Sequence, residues 1–95
     1  MKVRFLSVAE QELAEAIQYY EKLEEGLGLR FYSEIRNAID RIVAFPSAWY
    51  PIGGNSPRCR TKVFPYGVIY ELRKDEILIT SISCLHRDPK SWKDR

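Results

Sequence analysis

Two amphipathic helical segments joined by a short turn constrain the fold of this chain more than any other feature. Apolar side chains recur every three or four residues over 9–20 and again over 31–42, which is the period of a helix with one buried face. Gly26 and Gly28 lie between the two segments and favour a turn. Pro46 ends the second helix, because proline disfavours helical geometry in the residue before it. The pattern predicts an antiparallel helical hairpin.

The segments on either side of this hairpin have the short alternating pattern of β-strands. Ser7 and Glu10 have the spacing of a capping box, so the first helix is expected to begin with Ser7 as its N-cap. A loop rich in proline and glycine follows the second helix. Strands are predicted at residues 2–6, 58–63, 67–73 and 76–85. The order β-α-α-β-β-β predicts an α+β fold, with the helical hairpin packed on an antiparallel sheet.

The length of the chain suits one domain. No repeat, low-complexity tract or long linker divides its 95 residues, so a single domain over residues 1–95 is expected. No apolar run approaches the roughly 20 residues that cross a bilayer, and the first six residues are too short and too polar for a signal peptide. A cytoplasmic protein without membrane association is therefore expected.

Cysteine and histidine are too sparse for a metal centre. The chain has two cysteines, Cys59 and Cys84, and a single histidine, His86. The cysteines form no CxxC pair, and their spacing fits no known zinc-ligand pattern. We therefore expect two reduced thiols and no metal or other cofactor.

Charge is distributed unevenly along the chain. Residues 1–25 have three Lys or Arg against six Glu, a net of −3, whereas residues 58–95 have nine Lys or Arg against five acids, a net of +4. Such a basic C-terminal half favours a polyanion or an acidic protein segment as partner. The alternative is an ordinary solvated face.

Three cations are spaced two residues apart in the first strand after the hairpin. Arg58, Arg60 and Lys62 are predicted to project from one face of the sheet. Such a row suits phosphate contacts, since arginine binds a phosphate with two parallel hydrogen bonds. The alternative is an edge strand that its cations keep soluble.

Four segments of the chain, taken in order, resemble the RelE/ParE superfamily of toxins from type II toxin–antitoxin systems. The last of them, at the C-terminus, is slightly more similar to the ParE-like subgroup. They read ELAEAIQYY at residues 12–20, FP at 45–46, FPYGVIY at 64–70 and HRDPKSWKDR at 86–95. The resemblance implies a toxin that a cognate antitoxin protein binds and inhibits in a hetero-oligomer.

The resemblance implies two toxic mechanisms on one fold, and fold alone does not choose between them. A ParE-like protein is not an enzyme; it inhibits DNA gyrase, and Arg58, Arg60, Lys62, Trp92 and Arg95 would shape a surface that binds the partner or nucleic acid. The alternative for Trp92 is packing of the tail onto the rest of the domain.

A RelE-like protein is instead an endoribonuclease that cleaves messenger RNA on the ribosome. His86 would then act as general acid or base, while Arg60, Lys62 and Arg87 would stabilise the developing negative charge. The alternative for His86 is a structural hydrogen bond that orders the chain end. A third possibility is a non-toxic member that survives as an antitoxin-binding regulatory module.

Overall fold

The computed structural model of the protein describes residues 2–49 and 57–85. Its elements follow the predicted order β-α-α-β-β-β, so the α+β assignment is confirmed. They are β1 (Lys2–Phe5), α1 (Ser7–Leu23), α2 (Leu27–Ala44), β2 (Arg58–Arg60), β3 (Tyr66–Arg73) and β4 (Glu76–Cys84). The helices pack against each other and against the sheet, α1 on β4 and α2 on β2 and β3.

The four strands form a mixed sheet in the order β1-β4-β3-β2. Strand β3 is antiparallel to both of its neighbours, as short connections between strands require. Strand β1 pairs with β4 in parallel, with Val3 opposite Ile77. The prediction of a wholly antiparallel sheet is therefore wrong at this edge. Strand β1 precedes both helices and no hairpin links it to β4, so the hairpin argument does not apply to it.

The turn between the helices is closed by a carboxylate from α1. Gly26 has a φ of 87°, a left-handed conformation that glycine adopts without steric cost. The Glu21 carboxylate accepts hydrogen bonds from the backbone N–H groups of Gly26 and Gly28, with the shortest at 3.0 Å. Glu21 thus satisfies N–H groups that the start of α2 leaves without helical partners. Its negative charge also opposes the positive end of the helix dipole.

The first helix begins differently from the expected capping box. Leu6, not Ser7, is the N-cap residue, and no side chain caps the helix. The backbone N–H of Leu6 donates to the carbonyl of Ile79 at 3.0 Å, so the chain stays extended beside β4 up to this residue. The helix starts immediately afterwards, and Ser7 is already inside it.

One core fills the space between the hairpin and the sheet. The predicted face of α2 is wholly buried, at Phe31, Ile35, Ala38, Ile39 and Ile42. In α1 only Ala9 and Ala16 are fully buried, while Leu13, Ile17 and Tyr20 are partly buried against the same cluster. The sheet contributes Cys59, Val68, Tyr70, Ile77, Ile79 and Ile82. The hydroxyl of Tyr70 donates to the carbonyl of Pro46, which joins the sheet to the end of α2.

A bulge in β4 preserves the core face of that strand. Tyr70 pairs with Ile79, but the preceding residue of β3, Ile69, pairs with Ser81, which leaves Thr80 as an extra residue. A bulge of this kind shifts the alternation of side chains by one position. Ile82 therefore faces the helices and is 2% exposed.

Candidate functional site

Strand β2 presents two arginines at the outer edge of the described sheet. Among the strands of residues 2–49 and 57–85, β3 alone pairs with β2, on one side. Arg58 and Arg60 are exposed, whereas Cys59 between them is buried in the core beneath α2. Because side chains alternate along a strand, both guanidinium groups project from the face of the sheet that the helices do not cover. This part of the predicted row of cations is confirmed.

The third cation, Lys62, does not belong to the strand. Strand β2 ends at Arg60, three residues earlier than predicted. The Thr61 hydroxyl donates to the carbonyl of Phe64 at 2.7 Å, and the Thr61 N–H donates to the carbonyl of Tyr66 at 2.9 Å. These bonds turn the chain back into β3, so Lys62 is exposed in the connecting bend. The prediction that Lys62 continues the row is wrong, although the residue remains next to it in the chain.

The helix side of β2 is held by an arginine that sequence reasoning missed. Arg41, in the last turn of α2, donates from Nη2 to the carbonyl oxygen of Arg60 at 2.9 Å. Burial raises the pKa of the Cys59 thiol, and a hydrogen bond from Arg41 opposes that rise. Arg41 therefore bonds the backbone of Arg60 and also affects the titration of Cys59, the residue before it. No spacing in the sequence indicates this contact, because its partners are 18 and 19 residues away.

The other arginines in the sheet are paired with carboxylates. Arg4 and Glu76 form an ion pair at 2.9 Å, and Arg73 and Glu71 form one at 3.0 Å. The hydrogen bond from Arg4 lowers the pKa of Glu76. Within residues 2–49 and 57–85, the cations at Arg58, Arg60 and Lys62 make no ion pair. We call these three residues the cationic segment; its charge is available to an acidic partner.

An aromatic cluster supports the bend that follows the cationic segment. The ring of Phe64 lies 4.8 Å from that of Tyr20 and 5.2 Å from that of Phe31, measured between centroids. Tyr66 packs edge-on against Phe31 at 4.9 Å. Burial, with smaller effects from Tyr66 and Cys84, raises the pKa of Tyr20 to about 12. The cationic segment is thus followed by a rigid, well-packed connection.

A groove on the helical hairpin is a second candidate contact surface. Its volume is about 580 Å³, and it lies between the two helices and β1. Its apolar lining consists of Val3, Phe5, Leu13, Ala14, Ile17, Ile35, Ile39 and Val43. Glu10, Tyr32, Arg36 and Asp40 supply polar groups to the same groove.

The C-terminal residues singled out from the sequence lie outside the described part of the chain. These are His86, Arg87, Trp92 and Arg95. Their roles as acid or base, phosphate ligand or partner contact stay predictions. In the described ranges, no group of three or more His, Cys, Asp or Glu residues is arranged to hold a metal ion. None of the described helices is long and apolar enough to cross a membrane.

Comparison with known proteins places this geometry in a family. A family model described as the ParE toxin of the type II toxin–antitoxin system parDE matches residues 3–89. A solved structure titled as the chromosomal ParDE system from P. aeruginosa has a TM-score of 0.74 and 18% sequence identity. The alignment covers 90% of this chain and 97% of that chain, so the two share a fold. No curated protein matches the chain significantly.

Proposed function

The chain belongs to the ParE toxin family of type II toxin–antitoxin systems, and we propose from this that it arrests growth by binding and inhibiting DNA gyrase. Gyrase inhibition is typical of the family. In this mechanism the protein acts by binding and catalyses no reaction. Its antitoxin would prevent that contact in a hetero-oligomer.

The observation that carries the proposal is the unpaired charge of the cationic segment. Arg58 and Arg60 lie on a strand edge with no acidic partner in the described ranges, although two other arginines of the sheet do have such partners. Exposed charges that lack partners steer association with an oppositely charged surface. We therefore place the gyrase contact at β2, on the face of the sheet opposite the helices.

An assay of gyrase supercoiling with the purified protein tests this proposal. Replacing Arg60 by Ala is expected to raise the half-inhibitory concentration about tenfold or more, the scale of an interface residue with a large contribution. Arg73→Ala is the matched control, because it removes one arginine of the same sheet whose charge is already paired with Glu71. Its effect should stay within about twofold. Absence of any inhibition by the unmodified protein would refute the gyrase assignment.

The antitoxin is proposed to approach the same segment. An acidic, extended stretch of antitoxin would gain ion pairs with Arg58 and Arg60 as it folds onto the toxin. The affinity of the complex should then fall with rising salt, and the Arg58→Ala, Arg60→Ala double variant should show a weaker dependence. An unchanged salt dependence in the double variant would place the antitoxin elsewhere, for example in the groove between the helices.

Ribosome-dependent cleavage of messenger RNA is the second candidate function. Two exposed guanidinium groups also suit the phosphates of RNA, and His86 follows β4 in the chain. Primer extension on RNA from arrested cells separates the two functions. Cuts that disappear in His86→Ala and Arg60→Ala would support cleavage, whereas arrest with intact transcripts would exclude it. A full lack of growth arrest without antitoxin would indicate the non-toxic regulatory module.

A further inference from the structure

A side chain of α2 bonds the backbone of β2 at its outer edge. The N–H of Tyr70 donates to the carbonyl of Pro57 at 3.1 Å, and the N–H of Thr61 donates to the carbonyl of Tyr66 at 2.9 Å. In an antiparallel pair, alternate residues direct their backbone groups to opposite sides. Residues 58 and 60 therefore direct theirs outward, where the described part of the chain has no further strand. Arg41 is bonded to the carbonyl of Arg60 at this edge.

The hydrogen bond from Arg41 joins α2 to this edge. Nη2 of its guanidinium donates to the carbonyl oxygen of Arg60 at 2.9 Å. A guanidinium carries its N–H donors in a fixed plane at the end of a long side chain. Arg41 can therefore reach the edge from the helix and bond it in a defined geometry.

The short length of strand β2 limits its backbone bonds. It has three residues, and within the described ranges it pairs with β3 along the opposite edge. An edge strand this short can shift or fray, since local opening costs little where backbone bonds are few. A shift of β2 would move both exposed guanidinium groups away from their places on the sheet.

We propose that Arg41 is a positioning residue, which locks β2 against α2 and thereby presents Arg58 and Arg60 to the partner at a fixed place. This inference rests on the proposed gyrase contact at β2. Arg41 itself need not touch the partner. Its effect on inhibition is transmitted through the carbonyl of Arg60 and the position of the strand.

Arg30 offers a matched control on the same helix. Its side chain is exposed, and it is not among the residues that line the groove between the helices. Replacing Arg30 or Arg41 by Ala removes the same charge and the same side chain from α2. Only the Arg41 change removes the hydrogen bond to β2.

The experiment uses the full chain with Cys84→Ser in every variant, so that Cys59 is the one remaining thiol. We compare Arg41→Ala, Arg41→Lys, Arg30→Ala and Arg60→Ala. Three quantities are measured: the half-inhibitory concentration for gyrase, the rate at which a thiol reagent labels Cys59 in the folded protein, and the thermal midpoint by circular dichroism.

For Arg41→Ala we expect a loss of inhibition approaching that of Arg60→Ala, about tenfold, and Cys59 labelling faster by about fivefold or more as the edge opens more often. Arg30→Ala should stay within about twofold of the parent in both measurements. Arg41→Lys should lie between Arg41→Ala and the parent, because the lysine side chain is shorter and its ammonium reaches the carbonyl of Arg60 less well. If Arg41→Ala fails to fold, Arg41→Lys carries the test.

The two proposals fail in distinguishable ways. If Arg60→Ala inhibits gyrase as well as the parent does, the proposed gyrase contact at β2 is wrong. The labelling rates of Cys59 then still test whether Arg41 holds β2 against α2. If Arg60→Ala loses inhibition but Arg41→Ala behaves like Arg30→Ala in both measurements, the positioning role of Arg41 is overturned. The same holds if Arg41→Lys matches the parent after Arg41→Ala has failed to fold.

Discussion

A carboxylate oxygen of Glu12 accepts the backbone N–H of Ile82 at 2.9 Å and so occupies the edge of β4 that β1 leaves uncovered. Strand β1 pairs with β4 only as far as Ile79. The same oxygen also accepts the hydroxyl of Ser81 at 2.9 Å. Open strand edges are sites of unwanted strand pairing. A side chain of α1 therefore protects this edge, as Arg41 of α2 does at β2.

Glu12→Ala is expected to destabilise the protein by about 1–2 kcal/mol, because the N–H of Ile82 and the hydroxyl of Ser81 lose a charged acceptor. Urea unfolding measures the free energy, and hydrogen exchange of the Ile82 amide reports the local opening. Glu15→Ala is the control, since the one hydrogen bond described for Glu15 comes from the neighbouring side chain Gln11. Equal effects of the two substitutions would contradict the edge-protection role.

Gly28→Ala is expected to destabilise the hairpin by about 1–3 kcal/mol, the usual cost of overpacking. A Cβ at this position would lie 2.7 Å from the carbonyl oxygen of Ile17, and α1 would have to move away. Gly26→Ala makes a useful comparison, because a Cβ there meets nothing within 4 Å and only its φ of 87° opposes the change. Its cost should be roughly 1–2 kcal/mol. Thermal denaturation of both variants tests the ranking.

The ion pair of Arg4 and Glu76 predicts that the protein loses stability at acidic pH. The hydrogen bond from Arg4 lowers the pKa of Glu76 below its ordinary value of 4.5. A carboxyl group with a lowered pKa in the folded state stabilises the protein above the unfolded pKa, and this contribution is lost as the pH falls through the folded value. The urea midpoint of the parent should therefore fall between pH 7 and a pH below 4.5. The midpoint of Glu76→Gln should fall less over the same change of pH. Identical losses in the two proteins would refute the role of the pair.

The partly buried side chain of Tyr20 predicts that stability also changes at alkaline pH. Its pKa is raised to about 12 by burial, so its neutral form is favoured in the folded protein. Its contribution to stability is complete below the unfolded pKa of about 10 and declines as the pH rises towards the folded value. Absorbance titration at the tyrosinate band should show a late transition whose amplitude falls by one tyrosine in Tyr20→Phe. A titration unchanged in Tyr20→Phe would show that another tyrosine is responsible.

The local parts of the fold could be predicted from the sequence. The helical face from Phe31 to Ile42 follows directly from its spacing, because burial of an amphipathic stripe is a local consequence of the helix period. The glycine turn follows in the same way. The details that depend on distant partners could not be predicted. Ser7 is displaced from the cap because Leu6 bonds β4, and the parallel placement of β1 depends on contacts more than 70 residues away.

In the candidate site, too, the local features could be predicted and the long-range contacts could not. Alternation placed Arg58 and Arg60 on one face, as the structure shows, whereas the hydroxyl of Thr61 ends the strand before Lys62. No feature of the sequence distinguished Arg41, since an arginine near the end of a helix is common. Its importance appears only when α2 and β2 are seen side by side.

The central claim is that the cationic segment of β2 is the surface with which this toxin contacts gyrase. Direct measurement of gyrase binding by the parent protein and by the Arg58→Ala, Arg60→Ala double variant, at several salt concentrations, tests it most directly. We predict that the double variant binds about tenfold or more weakly, with a smaller dependence on salt, while Arg73→Ala binds like the parent. A double variant that binds as tightly as the parent at every salt concentration would contradict the claim.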